Sequence, residues 1–252
     1  MKKTYPGFKV PYFTSLNVHS KMINVMQINY LGHSCFKIKG KNSTLLTDPF
    51  DKFVGFPMPK TKAEIVTISH QHKDHNCLDN IEGEPFIIQA PGEYEVGDVS
   101  VFSLKTFHDD VKGAQRGTNV IYNIQMEDIS LCHLGDLGHK LNDRQLEKVN
   151  GVDVLFVPVG GVFTLGPKQV IEVINQIEPA IIIPMHYRTS RHDQDKFGKL
   201  FSLKDFLAEI GAPEAQAQEK LVISKTSLPE ESEVIPLVCT AFAKTPTESV
   251  GR

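Results

Sequence analysis

The chain has 252 residues, a hydrophobic fraction of 40% and a formal net charge of −3. It is long enough for one large hydrophobic core, in one domain or two. No block of five or more like charges is present, which argues against a nucleic-acid-binding arm or an acidic tail. Residues 1–22 lack the apolar run of a secretory signal, and no stretch approaches the roughly 18 apolar residues of a membrane span. We therefore expect a cytoplasmic protein.

The four cysteines are scattered, and none belongs to a Cys-x-x-Cys pair. In a chain of this length, that pattern favours buried or free thiols in a reducing compartment over a disulfide framework. The residues concerned are Cys35, Cys77, Cys132 and Cys239.

The first half of the chain contains short runs with the alternating pattern of β-strands. Residues 1–25 show no periodicity and are predicted to form an irregular extension. The first three strands that follow have tight connections, so an antiparallel meander is expected. Strands are predicted at residues 27–31, 35–39, 43–47, 64–68, 86–89, 99–106, 119–125 and 129–134.

The second half alternates strands with helices. Helices are predicted to start at Asn142, at Pro167, and at the capping-box sequence that begins with Ser202. Apolar runs at 154–157 and 180–183 are typical of strands covered on both faces. Two further strands are predicted at 221–225 and 234–238, before a polar tail. We therefore expect one α/β domain over residues 26–239, between an extension at 1–25 and a tail at 240–252.

The segment 69–76 has the most distinctive composition of the chain. Three histidines and an aspartate fall within six positions, directly after a buried strand: His70, His72, Asp74 and His75. Imidazole and carboxylate ligands together suit Zn²⁺, Mn²⁺ or Fe²⁺. Alternate residues of a strand face one side, so His70 and His72 can bind one ion. Asp74 and His75 lie past the turn and can face a second ion.

Three more such residues lie at the ends of later predicted strands: His108, Asp136 and His186. With the four residues of the segment 69–76, they make a set large enough for two metal ions. Alternatives remain at two positions. Asp109 or Asp110 competes with His108, and His133 or His139 competes with Asp136. His133 is expected to pack inside its strand, and His139 is interpreted as a supporting residue, a proton donor or a surface residue.

The ordered pattern resembles the metallo-β-lactamase superfamily. His70-x-His72-x-Asp74-His75 matches the His-x-His-x-Asp-His motif of that family, and the three later residues follow in the family's order. The resemblance implies a four-layer αββα sandwich with the metals at one edge. It also implies one ion held by His70, His72 and His108, another held by Asp74, His75 and His186, and Asp136 bridging both.

Shorter segments, at residues 31–36, 47–49 and 116–119, resemble the branch that contains the ascorbate-6-phosphate lactonase. The superfamily resemblance implies that Asp48 supports a ligand histidine, although a turn-forming role before Pro49 is an alternative. His33 either faces the site or caps a turn. Asn119, in the third segment, is a further supporting or substrate-binding candidate.

Several cationic or polar residues are candidates for binding an anionic substrate. Tyr187 and Arg188 have the best case because they follow His186 directly. Arg116, Arg191 and His192 are expected to be solvated loop residues.

These features predict a metal-dependent hydrolase with two divalent ions, Zn²⁺ as first choice and Mn²⁺ or Fe²⁺ as alternatives. The expected reaction uses a hydroxide activated by both metals to cleave a lactone or phosphodiester of a small anionic substrate, with Asp74 handling the proton of the nucleophile. The alternatives are a mononuclear iron dioxygenase on the same fold and an RNA or DNA phosphodiesterase. The net charge of −3 without a basic stripe argues against nucleic acid. No membrane partner is expected, and a homo-oligomer is left open.

Overall fold

A computed structural model describes residues 24–242. The predicted N-terminal extension, apart from its last two residues, and the tail from residue 243 lie outside the described residues. The described chain contains 15 strands. They are β1 (Met26–Gly32), β2 (Cys35–Lys39), β3 (Thr44–Thr47), β4 (Thr61–Lys62), β5 (Ile65–Thr67), β6 (Ile81–Glu82), β7 (Phe86–Ile88), β8 (Gly92–Val96), β9 (Val99–Phe107), β10 (Thr118–Met126), β11 (Ile129–His133), β12 (Val154–Pro158), β13 (Ile181–Met185), β14 (Leu221–Ile223) and β15 (Glu233–Val234).

The first large sheet has six strands in the order β14-β1-β2-β3-β5-β7. Strands β1, β2 and β3 pair antiparallel, which confirms the predicted meander. Strands β3, β5 and β7 pair in parallel, with Thr47 opposite Thr67. The residues that follow β3 and β5, including Asp48 and His70, therefore leave the sheet at the same edge.

The second large sheet has seven strands in the order β15-β13-β12-β11-β10-β9-β8. Strands β11, β12, β13 and β15 are parallel, and the β8–β11 half is antiparallel. A separate two-stranded sheet pairs β4 with β6. Those two strands have two residues each, which is too short for any alternation of side chains to be visible in the sequence.

The described helices are short: α1 (Asp143–Lys148), α2 (Pro167–Ile177), α3 (Gln194–Phe197) and α4 (Leu203–Glu209). All three predicted helix starts are confirmed, with Asn142 and Ser202 each forming a capping box. The predicted apolar face of α2 is buried. The four-residue α3 was not predicted. The last two strands are shorter than predicted, because a 3₁₀ turn begins at Lys225 and β15 ends at Val234.

The two large sheets share one hydrophobic core. Phe36 of β2 lies 4.4 Å, between ring centroids, from Phe156 of β12. The Tyr122 hydroxyl of β10 is within hydrogen-bond distance of the carbonyls of Ile68 and Ile88, at 2.6 and 2.9 Å. Each hydrogen bond of this kind contributes about 1 kcal/mol net. These contacts fix one sheet on the other and so position the strand ends that carry the histidines.

The mixed α/β fold with packed sheets and few helices confirms the predicted class. All four cysteines are free thiols, as predicted. Across residues 24–242, no helix combines the length and the hydropathy needed to cross a membrane.

Candidate metal centre

Four strand ends converge at one edge of the two sheets. The segment after β5 carries His70, and β9 is followed directly by His108. The loops after β11 and β13 carry Asp136 and His186. The sequence predicted each of these placements, because a histidine or aspartate close after a strand is a local feature of the chain.

Asp136 lies at the centre of the cluster. Its Oδ2 atom is 3.2 Å from Nε2 of both His108 and His186, 3.4 Å from Nε2 of His75 and 3.9 Å from Nε2 of His70. Burial of Asp136 opposes ionisation, but the surrounding imidazoles, His186 first, hold the pKa of this carboxyl well below its usual range. The carboxylate is therefore available as a shared ligand.

The seven predicted ligands fall into overlapping groups in which the candidate ligand atoms lie within 4.8 Å of one another. His72 is exposed and Asp74 is half-buried, whereas the other five are buried. His33 joins one group although it was not predicted as a ligand. The groups are His70, His72 and His108; His70, His75 and Asp136; and His33, Asp74, His75 and His186.

The donor atoms of the cluster fit a divalent metal ion. Nε2 of His70, of His75 and of His186 are buried and make no hydrogen bond with any described residue, and Oδ1 of Asp136 is in the same state. A buried polar group without a partner costs about 1–3 kcal/mol. Such atoms gathered in overlapping groups are the donor set expected of a metal site, because metal ligation would satisfy them.

Asp48 orients the ring of His75. Its Oδ2 atom lies 2.9 Å from His75 Nδ1 and accepts the Ser69 hydroxyl at 2.6 Å, while Oδ1 accepts the Ser69 amide at 2.7 Å. With Nδ1 directed at Asp48, Nε2 of His75 is left for the cluster. Ser69 Oγ is also 2.9 Å from Nδ1 of His70. One carboxylate thus organises the start of the segment 69–76.

Asn119 and His139 support the loops and do not line the cavity beside the cluster. Asn119 Oδ1 accepts the Asp136 amide at 2.9 Å, and its Nδ2 donates to the Thr106 hydroxyl and the Leu134 carbonyl. Gly135 has φ +54°, and a Cβ there would lie 2.4 Å from Asn119 Oδ1. Only glycine fits this position. His139 Nε2 accepts the Phe107 amide at 3.2 Å, directly before His108.

His33 faces the cluster. Its backbone is left-handed, with φ +54°, and its Nε2 lies 3.1 Å from Asp74 Oδ2. His192 Nε2 lies 3.3 Å from the other ring nitrogen of His33. Because His192 is only 3% exposed, the expectation of a solvated residue is wrong at this position. Its burial results from loop packing, for which the sequence gives no local signal.

A cavity of about 600 Å³ opens beside the cluster, and neither Tyr187 nor Arg188 lines it. Arg116 lines it, whereas Arg188 is exposed elsewhere and donates to the Gly198 carbonyl at 3.0 Å. Tyr187 is buried beside Tyr30, with ring centroids 6.1 Å apart. Adjacency to His186 was a poor guide because the chain turns sharply there, at φ +53° for His186.

Of the three remaining rivals for metal positions, Asp110 is exposed and belongs to none of the ligand groups, and the other two have other tasks. Asp109 accepts four backbone amides of its own loop, between residues 111 and 116. His133 is buried, as expected, with Nε2 3.0 Å from the Ser34 carbonyl oxygen.

Comparisons with known proteins agree with this architecture. A family model described as the beta-lactamase superfamily domain matches residues 27–186. A protein from Thermococcus onnurineus named UPF0173 metal-dependent hydrolase is 26% identical over 209 residues, which are 70% of this chain and 92% of the relative. A similarly named protein from Desulforamulus reducens is 26% identical and covers 65% of this chain and 85% of its own length.

Solved structures show the same fold. A protein from Thermotoga maritima, described as a zinc-dependent hydrolase of the metallo-beta-lactamase superfamily, is 35% identical with a TM-score of 0.68. The match covers 84% of this chain and 98% of that one. A diiron beta-hydroxylase from Streptomyces venezuelae is 12% identical, with a TM-score of 0.56, over 80% of this chain and 54% of that chain. The second likeness shows the fold alone.

The fold and the histidine–aspartate cluster define a metal-dependent hydrolase of the metallo-β-lactamase fold. The chain belongs to the metallo-β-lactamase superfamily, and its relatives carry the name UPF0173 metal-dependent hydrolase.

Proposed function

We propose that this hydrolase holds two divalent ions, with Zn²⁺ as first choice, and cleaves an ester-type bond of a small anionic substrate. His70, His72 and His108 would hold one ion, Asp74, His75 and His186 the other, and Asp136 would be shared. The observation that carries the proposal is the set of buried Nε2 atoms of His70, His75 and His186, which lie 3.2–3.9 Å from Asp136 Oδ2 and make no hydrogen bond with any described residue. Bound there, the metals would supply Lewis-acid chemistry, lowering the pKa of water and polarising the bond to be cleaved.

Asp74 is the residue best placed to handle the proton of the attacking water. It lines the cavity, and its Oδ2 lies 3.1 Å from His33 Nε2. Oδ1 makes no hydrogen bond with any described residue and is left to accept a proton. Burial opposes ionisation of Asp74, but His75 and His33 lower the pKa of the carboxyl well below its usual range, so it stays ionised.

The bond to be cleaved is proposed to be the ester bond of a lactone or of a phosphodiester. Hydrolysis adds the hydroxyl of water to the carbonyl carbon or the phosphorus, and the remaining proton goes to the leaving oxygen. The lactone rests on the resemblance of residues 31–36, 47–49 and 116–119 to the ascorbate-6-phosphate lactonase branch. The anionic character of the substrate is supported by Arg116 and Lys196, which line the same cavity.

The test is an activity screen of the metal-loaded protein on lactones, phosphodiesters and thioesters, with metal content measured by elemental analysis. We expect two metal ions per chain and hydrolysis of a lactone or phosphodiester. Asp74→Asn should abolish turnover while the fold survives, and His72→Ala should lose metal. Asp128→Asn, in an exposed turn between β10 and β11, is the matched control. Unchanged activity and metal content in the Asp74 and His72 variants would contradict the assignment, and oxygen uptake would identify an oxygenase instead.

A further inference from the structure

Three phenylalanine rings form one wall of the cavity beside the candidate metal centre. Phe197, at the end of α3, lies between the other two, with ring centroids 6.2 Å from Phe53 and 6.3 Å from Phe163. Both pairs are edge-to-face, at 89° and 85°. Phe53 and Phe163 are half-buried and line the cavity, whereas Phe197 is buried. None of the three rings is needed to hold a metal.

The wall is fixed in place by contacts between loops that are distant in the chain. Asp51 accepts the Phe53 amide at 2.7 Å. The Asp193 amide donates to the Val54 carbonyl at 2.8 Å, and the Asp193 carbonyl accepts the Phe197 amide at 2.8 Å. Gly55 allows this approach, because a Cβ there would lie 2.3 Å from the Asp193 nitrogen. A wall held in this way is preorganised, which lowers the entropic cost of binding.

Cationic groups lie over the outer rings. Arg116 Cζ is 5.7 Å from the centroid of Phe163, and Lys196 Nζ is 4.7 Å from that of Phe53. Lys196 is paired with Asp193. Within residues 24–242, Arg116 forms no ion pair with a carboxylate, and its one side-chain hydrogen bond is to the Val162 carbonyl at 3.1 Å. Arginine presents five donors in a planar fork, so most of its capacity to bind an anion is free.

We propose that the substrate of this site is an amphipathic anion: a flat apolar group packs on Phe53 and Phe163, which the buried Phe197 supports, and a carboxylate or phosphate binds Arg116. This inference rests on the proposed function, since it places the bond to be cleaved at the adjacent histidine–aspartate cluster. The apolar wall disfavours a uniformly polar substrate such as a bare sugar phosphate, because such a molecule would leave the exposed surface of Phe53 and Phe163 without an apolar partner.

Binding of small probes to the metal-loaded protein tests the proposal without requiring turnover. Isothermal titration calorimetry would compare phenylphosphonate with methylphosphonate, and benzoate with acetate. We expect each aromatic probe to bind about tenfold more tightly than its methyl counterpart, as an aromatic contact allows. The pair with the higher affinity identifies the anion as phosphate-like or carboxylate-like.

Variants separate the two halves of the proposed subsite. Phe163→Ala should remove most of the aromatic preference, and Phe163→Leu serves if the alanine variant does not fold. Arg116→Gln should weaken the binding of both aromatic probes by about tenfold or more, because a hydrogen bond to a charged group is stronger than one between neutral groups. Phe86→Leu and Arg188→Gln, both exposed and outside the cavity, are the matched controls.

Equal binding of aromatic and methyl probes would overturn the apolar half of the proposal. Unchanged affinity in Arg116→Gln would place the anion elsewhere and overturn the other half. If an ester is hydrolysed but the probe preferences are absent, the proposed function stands and this inference fails. If the preferences appear but no ester-type bond is cleaved, the binding site stands and the proposed function fails.

Discussion

His33 Nε2 lies 3.1 Å from Asp74 Oδ2, and behind it a chain of hydrogen bonds leads away from the cluster. The Thr189 amide donates to His192 Nδ1 at 3.1 Å, so that nitrogen carries no proton. The proton of neutral His192 is then on Nε2, which is 3.3 Å from His33 Nδ1. The proton of neutral His33 is in turn on Nε2, directed at Asp74. A single backbone amide thus selects the tautomers of two buried histidines.

This relationship makes His33 a positioning residue for Asp74. His33→Asn should lower kcat by about 10–100-fold, the usual effect of removing a partner of a metal-site residue. Asparagine tolerates the φ of +54° at this position, so the backbone should be retained. Steady-state kinetics with metal analysis would check the prediction: KM and metal content should change much less than kcat. An unchanged kcat would show that Asp74 needs no partner.

The second histidine of the chain can be tested by a conservative replacement. His192→Leu removes both the acceptor for Thr189 and the donor to His33, and should reduce kcat in the same direction as His33→Asn. His192→Gln offers an amide oxygen and an amide NH₂, which can replace both functions. We expect the glutamine variant to recover most of the activity. Equal losses in both variants would indicate that the imidazole acts only by its volume.

Burial of these histidines also predicts a pH dependence of stability. Burial, together with the neighbouring His186, lowers the pKa of His33 to about 4, and burial with the neighbouring His33 lowers that of His192 to about 3. In the unfolded chain both titrate near 6.5. The unfolded state therefore binds more protons between these values, and the free energy of unfolding should fall as the pH decreases from 6.5 toward 3.

Removing one of the two groups should flatten this dependence. Urea denaturation of metal-free protein between pH 7 and pH 4 would compare the wild type with His192→Gln. The variant should lose less stability over this range, because one proton-binding group of the unfolded state is gone. A steeper loss in the variant would contradict the assignment of His192 as a buried neutral group.

The sequence predicted the cluster because its residues follow strands directly. His70 to His75, His108, Asp136 and His186 each lie at the end of a run whose periodicity is visible locally. The cavity wall could not be predicted in this way. Phe53, Phe163 and Phe197 come together because separate loops bond to each other, as the Asp193 amide does to Val54.

The difference between local patterns and contacts between separate loops also explains why the predicted substrate residues do not line the cavity. Sequence adjacency to His186 favoured Tyr187 and Arg188, but the direction of a side chain after a left-handed residue is set by the fold. Arg116 lines the cavity because its loop is folded around Asp109, which accepts the Arg116 amide. The sequence alone does not distinguish an aspartate that accepts four backbone amides of its own loop from any other aspartate in a loop.

Asp48 offers a separate test of the metal site. Asp48→Asn keeps the shape and tolerates the φ of +35°, but an amide cannot accept the three hydrogen-bond donors around this carboxylate. The orientation of His75 should become less defined, and metal affinity should fall by about 10–100-fold. Competition with a chelator, followed by elemental analysis, would measure this. Asp128→Asn should retain the wild-type affinity, and equal affinities of Asp48→Asn and Asp128→Asn would contradict the role of Asp48.

Asp109 should act on substrate binding more than on the chemical step. Its four backbone amides, Arg116 and Gln115 first, overcome the effect of burial and lower the pKa of the carboxyl to about 2, so it is ionised at neutral pH. Asp109→Ala removes the acceptor for these amides and loosens the loop that carries Arg116. For an anionic substrate, KM should rise by about tenfold or more while kcat changes less, since the metal ligands remain. Asp110→Ala, in the next and exposed position, is the control. A fall in kcat with an unchanged KM would instead place Asp109 in the support of His108.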